Sequence, residues 1–238
     1  MITKAIPYAV DDLALTGYLA FDESRAGKRP GVLVCHQGNG LSEHTKERAR
    51  MLAELGYAAF ALDMYGEVAT GRERAMQLFQ GLIQNPSELR KRAKAGLDVL
   101  VAQPDVDAKR LAATGYCFGG GVVLELARAV DTLGCVVAFH PSFAGLPEKD
   151  DRKVNARIMV CAGAEDPLIT AEGRERFMAL MRDARADWQL LTFGNAGHSF
   201  TDRSIDALGM SGFAYHPPTD ARSWAAMRAL FDEALGAV

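Results

Sequence analysis

The feature that most constrains this chain is a rhythm. Short apolar runs at residues 31–35, 58–62, 111–114, 135–139, 158–162 and 189–193 alternate with segments of helical period. Runs without polar alternation, bounded by turn residues, suit strands covered on both faces. Between them, Ala49, Leu52, Ala53 and Gly56 mark one helical stripe, and Leu89, Ala93, Leu97, Leu100 and Val101 a second. Phe177, Leu180, Met181 and Ala184 mark a third after the N-cap candidate Thr170, and Trp224, Met227, Phe231 and Leu235 a last one. Residues 119–130 are apolar on most sides, which predicts a buried helix. With a strand at 13–19 paired to residues 5–10, this pattern predicts an α/β fold, a mostly parallel sheet of about eight strands with helices on both faces. No linker, charge block or repeat divides residues 1–238, so one domain is expected, and at 238 residues it can bury a sizeable core.

Charge and composition exclude several functions. Lys and Arg number 27 against 30 Asp and Glu, a net −3, which gives nucleic acid no general attraction. No apolar run of about 18 residues suggests a membrane span, and Lys4, Pro7, Asp11 and Asp12 break the start in a way unlike a signal peptide. The cysteines Cys35, Cys117, Cys135 and Cys161 are far apart, so free thiols in a reducing compartment, and a cytoplasmic enzyme, are expected. No His or Cys cluster has zinc-ligand spacing.

In open parallel sheets the ligand sits beyond the carboxyl ends of the strands. After the run 111–114 comes Gly115-Tyr116-Cys117-Phe118-Gly119-Gly120-Gly121, a G-x-C-x-G between strand and helix. This is the nucleophile-elbow pattern with cysteine in the serine position, at a helix N-terminus that favours a thiolate. By itself the motif also fits a buried structural cysteine, the reading given to Cys35, Cys135 and Cys161. A thiol is mostly neutral at pH 7 and needs a base. The run 158–162 leads to Asp166, and 189–193 leads to His198. Nucleophile, acid and base therefore follow in the chain order of an α/β-hydrolase.

At this point the sequence resembles the dienelactone hydrolase family, α/β-hydrolases with a Cys–His–Asp triad. The likeness runs from about Gly31 to the last helix, through the stretch Leu55 to Gly66, the elbow GYCFGG, the acid turn GAEDP and the base loop AGHSF. It implies the α/β-hydrolase fold, the triad Cys117, Asp166 and His198, and hydrolysis of a lactone or ester through a thioester, with no metal or organic cofactor. The second half of an oxyanion hole is expected from Gly38 in the loop after residues 31–35, with Phe118 N–H as the first. His36, Tyr65 and His140 are expected to border the pocket, whereas His44 and His216 are expected on the surface.

Two positions depart from the family pattern. Gln37 stands where the family carries a glutamate that takes up the thiol proton, which an amide cannot do. Asp202 stands where an arginine that grips a substrate carboxylate would fall, leaving Arg203 one step away and Arg72 or Arg74 as the other candidates. The expected enzyme is a cysteine-dependent hydrolase of small lactones or activated esters, working as a monomer or homodimer. The alternatives are attack on another electrophile such as a phosphotriester, and a binding module without turnover.

Overall fold

In the computed structural model, which describes residues 1–147, 149 and 152–238, the chain forms one eight-stranded sheet. The strands are β1 (Ile2–Val10), β2 (Leu13–Phe21), β3 (Arg29–Cys35), β4 (Ala58–Leu62), β5 (Val106–Tyr116), β6 (Cys135–Phe139), β7 (Arg157–Gly163) and β8 (Trp188–Phe193). Their order across the sheet is β1-β2-β4-β3-β5-β6-β7-β8. β1 and β2 form an antiparallel hairpin that joins β4 antiparallel, and every pair from β4 to β8 is parallel. The expected sheet is observed. β5 is longer than its apolar run, because Val106 and Asp107 pair with Arg29 and Pro30 ahead of a register shift that skips residues 108–110.

The helices are α1 (Glu43–Glu54), α2 (Arg72–Ile83), α3 (Pro86–Val101), α4 (Phe118–Ala129), α5 (Ala171–Asp183) and α6 (Pro217–Leu235). Thr170 caps α5 by accepting from Gly173 N–H at 3.1 Å. Two apolar clusters divide the core between the faces of the sheet. α3, α4 and α5 bury Leu97, Val123 and Phe177 on one side, while α1 and α6 bury Leu52 and Phe231 on the other. α4 runs beneath β5 and β6, and all but one of its residues are buried, as its composition demands. α2 has no counterpart among the predicted helices. Its apolar stripe is Ala75, Leu78, Phe79, Leu82 and Ile83, of which only Leu82 is fully buried, while Leu78, Phe79 and Ile83 pack half-buried against the core. No helix among the described residues is long and apolar enough to cross a membrane.

Candidate active site

The site is built on the turn between β5 and α4. Cys117 takes φ 55°, ψ −113°, a conformation that costs a non-glycine residue about 1–3 kcal/mol. Its flanks explain how the turn survives. A Cβ on Gly115 would stand 2.0 Å from the Gly119 carbonyl oxygen, and one on Gly119 would stand 2.3 Å from that of Cys35. Only glycines permit this crossing of backbone. Cys117 N–H donates to Phe139 O at 3.0 Å, and its carbonyl accepts from Ser142 N–H at 2.9 Å, which pins the elbow to β6 and the turn after it.

Two further strand ends converge on this turn. Asp166, after β7, places Oδ2 2.8 Å from His198 Nδ1, and its Oδ1 accepts from Leu168 N–H at 2.8 Å. His198, after β8, is fully buried, and its backbone is held by a bond to Gly212 O at 2.8 Å. The imidazole Nε2 has no oxygen or nitrogen partner and is left to act on the Cys117 sulfur. Burial opposes ionisation of that thiol, but the His198 charge and hydrogen bond, with the N–H groups of Phe118 and Gly38, outweigh it and hold the thiol below its usual value. Burial likewise opposes a charge on His198, yet Cys117 and Asp166 push it up to about 10. Both shifts favour a thiolate beside an imidazolium, and the N–H groups of Phe118 and Gly38 face the sulfur. Cys35, Cys135 and Cys161 are buried in the strands, where burial pushes their thiols up.

The sulfur opens into a cavity of about 720 Å³. Phe79, Phe143, Met210 and Phe213 supply much of its apolar wall, and Gly38 and Ser142 stand beside Cys117. A Cβ at Gly38 would stand in open space, so glycine there leaves room in front of the thiol. Arg72 and Arg176 reach the wall together with Glu172. Arg72 is one of the two arginine candidates in its segment; the other, Arg74, pairs with Glu67 outside the cavity. Arg176 on α5 escapes a reading of the sequence, because nothing local tells a cavity-facing arginine from a solvated one.

Several expectations need correction. Arg203 is exposed, its guanidinium lies over the Tyr215 ring, and it is not among the cavity residues, because the turn after His198 carries it outward. His44, expected on the surface, is buried between Gln37 and Thr201. His216 is half-buried at the start of α6, with Nδ1 2.7 Å from Thr219 Oγ1. Phe200 is buried in the core on the α6 side, and Trp224 packs half-buried against it. The remaining neighbours form a layer behind the sulfur. His36 Nε2 accepts from Met64 N–H at 3.1 Å, and its ring and that of Tyr65 pack on Phe118. His140 lies with its ring 5.1 Å from that of His198. Gln37 turns its amide to Asp202 and His44, so the two departures from the family pattern touch each other.

The model of the dienelactone hydrolase family matches residues 15–235. A Yersinia pestis protein named "Putative carboxymethylenebutenolidase" is 28% identical over 211 residues, 82% of this chain and 76% of its own length. The solved structure m3DLH superposes with a TM-score of 0.91 at 44% identity and 98% coverage of both chains. A dienelactone hydrolase-like promiscuous phosphotriesterase from metagenomic libraries does so with a TM-score of 0.94 at 40% identity and 99% coverage of both. With a family match over nearly its whole length and the α/β-hydrolase sheet beneath it, this chain belongs to the dienelactone hydrolase family.

Proposed function

We propose that this dienelactone-hydrolase-like hydrolase cleaves lactones or activated esters with Cys117 as nucleophile. One observation carries the reading: a carboxylate, an imidazole and a thiol from three different strand ends meet at one site, with the imidazole pushed up to about 10 and the thiol lowered. The Cys117 thiolate adds to the carbonyl carbon, and the carbonyl electron pair moves to oxygen. That oxyanion takes hydrogen bonds from Phe118 and Gly38 N–H. Collapse breaks the bond to the leaving oxygen, which collects the proton from His198 Nε2 and leaves a thioester. His198 then removes a proton from water, whose oxygen adds to the thioester carbon. The second collapse returns the thiolate and releases the acid. Asp166 holds His198 by Nδ1 throughout and offsets its charge.

The test is rapid mixing with a p-nitrophenyl ester and mass spectrometry of the trapped enzyme. An acyl adduct on the Cys117 peptide supports the reading, and turnover without any adduct on Cys117 rejects it. A second reading has a specific support in the 40%-identical phosphotriesterase relative. The same thiolate would attack phosphorus, and a phosphoryl adduct on Cys117 after a paraoxon-type triester would identify it. The four unpaired thiols suit a reducing compartment such as the cytoplasm.

A further inference from the structure

Behind His198 runs a buried hydrogen-bond chain whose direction can be read from its ends. Gln37 Nε2 lies 3.1 Å from Asp202 Oδ2 and 3.3 Å from His44 Nδ1. A carboxylate has no proton to give, so the group facing Asp202 is the amide NH₂, and its other hydrogen meets His44. Asp202 Oδ1 is already occupied by the Ser204 N–H at 2.8 Å and hydroxyl at 2.7 Å. His44 Nδ1 therefore accepts, and its hydrogen sits on Nε2, 3.2 Å from Thr201 Oγ1. The Thr201 hydroxyl gives its own hydrogen to His140 Nε2 at 2.9 Å. His140 is left with an occupied Nε2 and its hydrogen on Nδ1.

His140 is a demanding neighbour. It is fully buried with φ 35°, and its ring stands 5.1 Å from the His198 ring at an angle of 68°. The other ring against His198 is Phe213, at 4.8 Å. The charged or titratable groups facing His140 are His198 after β8, His44 and Arg48 on α1, and Tyr116 at the end of β5. Burial first, then the His198 and Arg48 charges, push His140 well below its usual value. A neutral ring beside an imidazolium attracts it, whereas a second imidazolium at that spacing would repel it.

We propose that Gln37 and Thr201 are positioning residues: the chain Gln37–His44–Thr201–His140 holds His140 as its neutral Nδ1–H tautomer against the His198 imidazolium. The proposal rests on reading Cys117 and His198 as the reacting pair. It also gives the two departures from the family pattern one cause. An amide at 37 and a carboxylate at 202 set the direction. With Gln37→Glu and Asp202→Asn together, every donor becomes an acceptor, and the free electron pair moves to His140 Nδ1, which has no partner.

Long-range ¹H–¹⁵N spectra of histidine-labelled protein test the direction, since the two imidazole tautomers have distinct nitrogen shifts. The expected result is His44 as Nε2–H and His140 as Nδ1–H, both reversed in the Gln37→Glu/Asp202→Asn protein. His140 as Nε2–H in the unaltered protein, or unreversed tautomers in the double variant, overturns the proposal. The second readout is the pH dependence of Cys117 alkylation by iodoacetamide. Thr201→Val removes the donor to His140, weakens the His198 charge and raises the thiol. The profile should move up by about one pH unit, about tenfold slower on its acid limb. Thr201→Ser should restore the original profile. An unmoved Val profile, or a Ser profile moved as far, overturns the idea. If instead the nucleophile is misassigned, turnover survives Cys117→Ala while the tautomers stand.

Discussion

The two sides of the cavity are built by opposite means. On the base side, His44, Thr201 and His140 are buried in one hydrogen-bond chain behind His198, and Arg48 ties the Thr201 carbonyl to Asp220 on α6, 3.0 Å away. On the opposite wall, α2 buries only Leu82, while Met76 is 44% and Leu168 51% exposed. A buried polar group must find a partner of the right sign and direction, so the base side has few acceptable arrangements. An exposed methionine or arginine has many. The difference teaches that bond-breaking geometry is fixed by the fold, and that the choice of substrate is left to side chains with room to change.

The largest effect should come from the centre of the rigid side. Cys117→Ala is expected to lower kcat at least about 10⁴-fold, with Cys117→Ser retaining weak activity, since removing a nucleophile removes the catalytic unit. Ester turnover of the purified variants checks this, and full activity in the alanine protein would dissolve the contrast. Asp166→Asn should cost about 10³–10⁴-fold in kcat, because it favours the wrong His198 tautomer. It also has a pH signature. Asp166 helps to raise His198, so its loss lowers that group, the thiolate loses its partner charge, and alkylation of Cys117 should need higher pH. A profile unchanged by Asp166→Asn would show that the carboxylate does not act through the imidazole.

Next in size is a packing change on the same side. Gly119→Ala drives a Cβ to 2.3 Å from the Cys35 carbonyl and should destabilise the protein by about 3 kcal/mol, read as a lower urea midpoint. A midpoint within error of the original would mean the elbow can yield. The open wall should respond more mildly. Arg72→Ala is expected to change the ratio of kcat/KM for anionic over neutral esters by up to about fivefold, the range of an exposed charge. A hundredfold change would show the open wall to be as tightly constrained as the base side. The smallest effect belongs to Arg203→Ala, which should leave that ratio within about twofold because the side chain stands on Tyr215 outside the cavity. A loss of anion preference there would return Arg203 to the site.

Much of the architecture is legible in the sequence. The six apolar runs each appear within the parallel strands, and the glycines around Cys117 foretell the sharp turn, because strand burial and backbone clashes depend on residues close in the chain. α2 is absent from the predicted helices although Ala75, Leu78, Phe79, Leu82 and Ile83 carry the helical spacing, so its signal is local and readable. The burial of His44 is not legible, because its partners Gln37 and Thr201 are 7 and 157 positions away.

What the sequence determined by itself is the order of chemistry along the chain: a cysteine on an elbow, then an acid and a histidine, each placed after a strand of one parallel sheet. These follow from local periodicity and from the rule that such strands share one carboxyl edge. Only the tertiary structure decided that Gln37 and Asp202, 165 positions apart, meet at 3.1 Å, that His140 lies against His198, and that Arg203 points away. The reason is physical. A side-chain hydrogen bond is made or lost within a few tenths of an ångström, and loop paths set that distance, whereas a strand needs only to be apolar and about the right length.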